Sequence, residues 1–396
     1  MLERMDVAFA VRGRLLLGQQ LERGTLVVRD GLIESVSRDQ APDGDLPAVV
    51  LDADVVSPGM IDLQVNGASG HEVAAGAASI DAISTWTVQS GVTAWLPTVV
   101  TADAALYGRV FTAWDGINLR AGAVPLGLHL EGPFLSPARK GAHQLRYIEA
   151  ATDELFTRWL KEQSIALVTL APERDGATAR IGALAGRGIV VSLGHTDATY
   201  DQFLAGVDAG ATMATHLFNA MSPVHHRHPG AMVAAMMDPR VTCGLIPDGI
   251  HVHPAMVRLA LRAKGPDGVA IVSDMMSATG LGPGDYPLGG QTVTVTETTA
   301  RLADRTLAGS VITMDQAVRN LVAWGGISAA EALHMATATP ARTLGDPSRG
   351  RLVAGARADL TLWSADLAVT DVIVGGRIVV RNREAARSPG ADGRFC

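Results

Sequence analysis

Six apolar runs in the chain end in side chains capable of chemistry: Gln64 and Asn66 close "PGMIDLQVNG", Glu131 closes "GLHLE", and His195 closes "GIVVSLGH". His216 with Asn219 ends "GATMATHLFNAM", Asp248 with His251 ends "VTCGLIPDGIH", and Asp274 ends "GVAIVSD". Taken singly, each has a plain explanation as a hydrogen-bonded structural group or a loop cap. Six runs ending alike call for a common cause. Glu131, His195 and His216 are one carboxylate and two imidazoles, a donor set suited to Zn²⁺ or Fe²⁺. Three protein ligands leave a position open for water, and the ion lowers the pKa of that water towards ~7, which yields a hydroxide nucleophile at neutral pH. The alternative is that Glu131 pairs with a nearby histidine and no metal binds. His129 lies two residues before Glu131 and therefore on the same strand face, one pleat deeper. It is expected to be a buried, hydrogen-bonded group behind the site.

Residues so far apart in sequence need a scaffold that gathers strand ends. Eight short apolar runs supply one: "PGMIDLQVNG", "GVTAWLPTVV", "VPLGLHLEGP", "IALVTLAPE", "GIVVSLGHTD", "GATMATHLFNAM", "VTCGLIPDGIH" and "GVAIVSDMMS". Ala-rich, helix-compatible segments such as "SIDAISTWTVQS" and "PGAMVAAMMD" lie between most of them, and "MDQAVRNLVAWG" and "SAAEALHMATATPARTLG" follow as closing helices. The alternation predicts a (β/α)₈ barrel over residues 58–349, a fold whose active sites sit at the C-terminal ends of the strands. Both ends of the chain read differently. "GTLVVRDGLIESVSR" holds an Asp30-Gly31 turn and "VTDVIVGGRIVVR" a Gly375-Gly376 turn, each between β-rich runs. Residues 1–57 and 350–396 are expected to form one small β-sandwich domain assembled from both termini.

Composition bounds the partners. The chain has 396 residues, is 47% hydrophobic and 18% charged, and carries a net charge of −7, which argues against a general nucleic-acid-binding surface. Two cysteines, Cys243 and Cys396, offer no disulfide framework and no CxxC metal site, as suits a reducing cytoplasm. Cys243 falls inside the seventh run and reads as core. The first residues lack the apolar core and cleavage site of a signal peptide, and no stretch approaches the ~18 apolar residues of a membrane span.

In order along the chain, "PGMIDLQVNG", "HLEGPFLSPARKGAH", "LGHTDA", "THLFNAM", "DGIHVHP", "VSDMMSATG" and "LAGS" resemble the N-acetylglucosamine-6-phosphate deacetylases of the amidohydrolase superfamily. The resemblance covers residues 58–320 and implies hydrolysis of the acetamide of a phosphorylated amino sugar. It implies Asp274 as general base and acid, and His143 as the hydrogen-bond donor to the acetyl carbonyl. It further implies that Arg227 reaches the phosphate in the neighbouring active site of a homodimer, with His251 as a second phosphate contact. Ala142, Asn219, Ala220 and the stretch Leu307, Ala308 and Gly309 are expected to line the sugar pocket. His225, His226 and His228 read as a solvated loop around Arg227, and "LSPARKGAH" as a candidate lid.

The chain departs from the wider superfamily at the first strand, where Gln64-Val65-Asn66 replaces His-x-His, and no lysine is placed to form a carboxylated bridge. Amides are weaker ligands than imidazoles. One divalent metal ion per subunit, Zn²⁺ or Fe²⁺, is therefore expected. Gln64 and Asn66 have two readings at this point: hydrogen bonds to neighbouring backbone, or orientation of the water at the metal. The galactosamine epimer is a rival substrate. A non-catalytic sugar-phosphate-binding protein on the same barrel, and a hydrolase of cyclic amides, are rivals of other kinds.

Overall fold

The computed structural model describes residues 8–38, 46–117 and 122–381. The outermost parts of the expected terminal domain, with Cys396, lie outside the described residues.

All eight apolar runs form strands of one parallel sheet. In sequence order they are Met60–Val65, Val92–Val100, Leu128–Glu131, Ile165–Leu170, Val190–Leu193, Met213–Ala214, Thr242–Leu245 and Val269–Ile271. Each pairs with the next, and the chain just beyond the last bridges back to the first. Closure runs through a bridge between Val65 and Met275, with Asp274 N donating to Gln64 O at 3.0 Å. Below it, Asp62 accepts hydrogen bonds from Ser273 Oγ at 2.5 Å and from Ser273 N and Gln64 N, each at 3.2 Å. This clamp sits one residue before Asp274, so the seam of the barrel also sets the position of that side chain. Leu63, Leu96, Leu130, Val168, Val191 and Ile271 are inaccessible to solvent, and the inner face of the sheet also carries the polar side chains of Asp62, Gln64, Thr98, His129 and Thr169. Cys243 is free and buried between the sheet and the helix Gly230–Met237, its Sγ 3.6 Å from Ala235 O.

The helices lie where the Ala-rich segments fall, including Ala77–Thr87, Gly230–Met237, Met314–Trp324 and Ala329–Ala336. Their starts follow local chemistry. Thr199 and Gln202 form a capping box before Tyr200–Asp208, and Ser328 and Glu331 form another before Ala329–Ala336.

Both chain ends contribute to a second sheet. Its strands are Phe9–Leu17, Gln20–Arg29, Leu32–Arg38 and Val49–Pro58 from the N-terminal side, and Leu360–Trp363, Val369–Val374 and Arg377–Arg381 from the C-terminal side. They form one continuous seven-stranded sheet, antiparallel except between Phe9–Leu17 and Val49–Pro58. Residues from both halves, among them Leu15, Leu26, Leu360 and Ile373, share one apolar cluster, so the sheet closes over its own core. Asp30-Gly31 and Gly375-Gly376 make its tight turns, all four residues at positive φ, as two-residue hairpins require.

A third, three-stranded sheet was not expected: Gly284–Leu288, Gln291–Val295 and Ala300–Arg301, between the eighth barrel strand and Met314–Trp324. Its signal was present in "PLGGQTVTV", a Gly-Gly pair before an alternating β-rich run.

Candidate active site

Glu131, His143, His195, His216 and Asp274 come together at the C-terminal mouth of the barrel and line a cavity of about 380 Å³. The donor atoms of Glu131, His195 and His216 lie within 4.8 Å of one another; no other such group of histidine, cysteine and acidic side chains occurs among the described residues. His195 Nε2 is 3.2 Å and His216 Nε2 3.0 Å from Glu131 Oε1, and the two Nε2 atoms are 3.0 Å apart. All three side chains are buried.

Hydrogen bonds fix which atoms face inward. Arg139 O, an acceptor only, lies 3.0 Å from His195 Nδ1. The ring therefore carries a hydrogen on Nδ1 and directs Nε2 to the centre. His216 Nδ1 is buried without a partner. Burial works to raise the Glu131 carboxyl, but hydrogen bonds from His195 and His216 outweigh it and hold the group well below the ordinary carboxylate range. An anionic oxygen and two imidazole nitrogens converging in a buried space suit a divalent ion of borderline hardness.

The amides at the first strand serve the carboxylates. Gln64 Nε2 donates to Glu131 Oε1 at 2.9 Å while Thr215 Oγ1 donates to Gln64 Oε1 at 2.8 Å. Asn66 Nδ2 donates to Asp274 Oδ1 at 2.7 Å, and Asn66 Oδ1 is buried without a partner. The reading in which these side chains serve only neighbouring backbone does not hold: alternation along Gln64-Val65-Asn66 turns both inward, onto the two acidic groups. His129 is buried behind them, its Nε2 2.8 Å from Thr169 Oγ1 and its Nδ1 3.2 Å from Leu63 O. Burial lowers its pKa to about 4 and keeps it neutral.

Burial, then the charge of Glu131, pushes the Asp274 carboxyl up to about 7. Across the cavity, His143 Nδ1 accepts from Thr101 N at 3.2 Å, and its Nε2 lies 3.8 Å from Glu131 Oε2. The neutral ring thus has its hydrogen on Nε2. Burial, followed by repulsion from His195, lowers its pKa to about 3 and keeps it in that form.

The backbone is strained where these groups sit. His195, His216, Ala220 and Asp274 have φ of 48°, 23°, 50° and 50°, a region that costs residues other than glycine about 1–3 kcal/mol each. Such conformations persist where surrounding structure holds them. Here Glu173 Oε2 and Oε1 accept from Thr196 Oγ1 at 2.5 Å and Asp197 N at 2.7 Å, bracing the turn after His195.

Ala142, Asn219, Ala220, His251, Leu307 and Gly309 line the cavity, together with Val100, Gly141, Leu288, Arg301 and Thr306, which sequence reasoning missed. His251 is aimed by Asp248, whose Oδ2 accepts from His251 Nδ1 at 2.6 Å. Ala308 does not line the cavity. Its side chain packs instead into an apolar cluster with Met276, Val293 and Val295. Arg227 also lies off this chain's cavity, on an exposed loop with Nη1 2.9 Å from His226 Nε2; His225 and His228 are exposed beside it. The "LSPARKGAH" stretch is fastened at the rim, with Ser136 N donating to His195 O at 2.9 Å and Arg139 paired with Asp197 at 2.8 Å.

Residues 55–379 match the amidohydrolase family model. An N-acetylglucosamine-6-phosphate deacetylase of Bacillus subtilis (strain 168) is 37% identical, the match covering 92% of this chain and 95% of the relative. An N-acetylgalactosamine-6-phosphate deacetylase of Escherichia coli O157:H7 is 36% identical, covering 93% and 98%. Among solved structures, a mutant N-acetyl-D-glucosamine-6-phosphate deacetylase of Mycobacterium smegmatis in complex with N-acetyl-D-glucosamine-6-phosphate superposes with a TM-score of 0.89 at 38% identity, covering 94% of this chain and 100% of that one.

Proposed function

This chain belongs to the amidohydrolase family, and we propose that within it the protein hydrolyses the acetamide of N-acetyl-D-glucosamine 6-phosphate to D-glucosamine 6-phosphate and acetate. The observation that carries the reading is the meeting of Glu131, His195 and His216 with Asp274 and His143 around one cavity. The substrate follows from the named activities of relatives that match almost end to end.

Glu131, His195 and His216 would hold a single Zn²⁺ or Fe²⁺ ion per subunit, which would supply Lewis-acid polarisation and lower the pKa of the attacking water. Asp274, as carboxylate, takes the proton of the attacking water. As the carbon–nitrogen bond breaks, it returns that proton to the sugar nitrogen, which leaves as the amine. Burial favours the protonated form of this carboxyl and so helps it to hold the proton between the two steps. Asn66 holds Asp274 Oδ1 and leaves Oδ2 for the proton. His143 donates its Nε2 hydrogen to the acetyl oxygen, where negative charge develops. Gln64 orients Glu131 through the shared Oε1. At the far end of the substrate, His251 and Arg227 bind the phosphate. Arg227, which lies off its own cavity, comes from the second subunit of a homodimer, its planar guanidinium suited to a phosphate. A phosphorylated sugar is charged and does not cross membranes unaided, so the reading places the enzyme in the cytoplasm. No helix among the described residues is long and apolar enough to cross a membrane.

The test is acetate release from N-acetylglucosamine 6-phosphate by the zinc- or iron-loaded protein, with metal content measured on the same sample. Turnover with one metal per subunit is expected. An inert, metal-loaded protein would overturn the reading in favour of a binding protein. The relative acting on the galactosamine epimer supports that sugar as a second reading. The ratio of kcat/KM on the two sugars decides between them, and activity on an unphosphorylated cyclic amide would favour the third class.

A further inference from the structure

The barrel does not build the whole cavity. One wall is the three-stranded sheet at 284–301, which contributes Leu288 and Arg301. Its tip, the Gly289-Gly290 turn, meets the loop that carries His143. Gln291 Nε2 donates to Ala142 O at 2.6 Å, and Gln144 Nε2 donates to Gly289 O at 2.6 Å. These reciprocal amide–carbonyl bonds grip the residues on either side of His143. Glu72 Oε1 accepts from Gly289 N at 2.7 Å, so the tip is also tied to the loop after the first barrel strand. Beneath the tip, Leu288, Val293 and Val295 pack with Met276, Ala278 and Ala308, with Ala142 and Val100 against them.

We propose that Gln291 is a positioning residue for the hydrolysis: by holding the Ala142 carbonyl it fixes the Ala142–His143 peptide, so that His143 Nε2 meets the acetyl oxygen. The proposal rests on the deacetylase reading above. The 140–144 segment lies outside regular structure and bends through Gly141 at φ 55°. It has no helix or strand ladder of its own to fix it between the short turn 137–139 and the helix Leu145–Glu149. Thr101 fixes the imidazole only at Nδ1, with its N 3.2 Å and its Oγ1 2.8 Å away, and His143 N donates to Lys140 O at 3.0 Å within the loop itself. The Ala142 carbonyl, on the other side of that peptide, is held by the hairpin. Small displacements of a donor that must meet developing charge are costly, since a 1 Å error can cost about 10²-fold.

The test uses three variants of the zinc-loaded enzyme. Gln291→Met and Gln291→Glu keep the length of the side chain and remove the donor, whereas Gln291→Lys keeps a donor. We expect kcat on N-acetylglucosamine 6-phosphate to fall about tenfold in the first two, more than KM changes, and Lys to recover most of it. A double-mutant cycle separates positioning from general support. In a His143→Leu background, which has already lost the group being positioned, Gln291→Met is expected to cost less than about twofold. Equal losses in both backgrounds, or a Lys variant as poor as Met, overturn the inference. If the Met variant does not fold, the Glu and Lys pair carries the same comparison. A wild-type enzyme inert toward the sugar overturns the deacetylase reading and this inference together. An active wild type with equal losses overturns this inference alone.

Discussion

In the terminal sheet, Leu15, Leu26, Leu360 and Ile373 are fully buried among apolar neighbours, and the left-handed turn positions hold Gly18, Asp30-Gly31 and Gly375-Gly376, with Leu367 the one bulky exception. At the barrel mouth, Glu131, His143, His195, His216 and Asp274 are packed nearly as deeply, and the left-handed positions hold histidine, alanine and aspartate. The two regions treat the same physical rules oppositely. In the sheet, pattern, turn chemistry and burial agree, which is how a sequence secures a fold. At the mouth, charged groups are desolvated, polar atoms lack partners and the backbone is strained. That arrangement lowers stability and preorganises a site where charge can move. Mutations at the mouth should therefore change turnover with little loss of stability, and mutations in the sheet should do the reverse.

The largest effect is expected at Asp274. Asp274→Asn cannot accept a proton, and kcat should fall about 10³- to 10⁴-fold while metal content is retained. Its thermal midpoint should match or exceed the wild type's, because a buried, charge-repelled carboxyl is gone. The same group shapes the pH profile. Since the carboxylate is the active form, kcat/KM should fall as pH drops through its pKa, which burial raises and a divalent ion bound beside it lowers. A residual rate within tenfold of wild type would remove Asp274 from the proton path. Next comes His143→Leu, which removes the oriented Nε2 donor. A loss of about 10²- to 10³-fold in kcat is expected, the usual scale for one oxyanion donor. Steady-state kinetics showing only a KM change would place His143 in binding instead.

The sheet supplies the opposite result. Leu15→Ala opens a cavity among Leu26, Val56 and Leu362 and should cost about 2–5 kcal/mol of stability in denaturant titrations. The folded fraction should keep its wild-type kcat. A matching loss of kcat per folded molecule would mean that the two regions are mechanically joined.

The same contrast explains what could be read in advance. The eight barrel strands were legible because each apolar run is short and ends in polar residues, and Glu131, His195 and His216 stood out as metal-ligand types at such ends. The hairpins at Asp30-Gly31 and Gly375-Gly376 carried local turn signals. The partners of Gln64 and Asn66 were not legible, because Glu131 and Asp274 lie far along the chain and only barrel closure brings them within reach. Nor does local sequence mark the left-handed φ of His195 or Asp274, which neighbours impose against residue preference. The 284–301 sheet did carry a Gly289-Gly290 signal, but its bonds to Ala142 and Glu72 are long-range and leave no local trace.

Asp62 tests the contrast most finely, because it belongs to the seam that joins the barrel's structure to its site. It is fully buried, and burial outweighs its three hydrogen bonds to push its pKa up to about 6. The folded value lies above the ~3.9 of the unfolded chain, so the folded state favours the protonated form. The contribution to stability is therefore fully present below about pH 4 and is lost as pH rises through about 6. At pH 8 the buried charge costs on the order of 3 kcal/mol relative to the acid form, and at pH 5 about half that. In Asp62→Asn the amide oxygen would still accept from Gln64 N and Ser273 N, while Ser273 Oγ could accept from the new amide and turn its own hydrogen to Gln64 O, 3.4 Å away. This substitution should accordingly raise the thermal midpoint of the metal-loaded protein at pH 8 by a few degrees, by about half as much at pH 5, and leave kcat within about threefold. A lower midpoint at both pH values would show that the carboxylate is worth more as a clamp between the first and eighth strands than it costs as a buried charge, and would move Asp62 from the strained side of the comparison to the satisfied one.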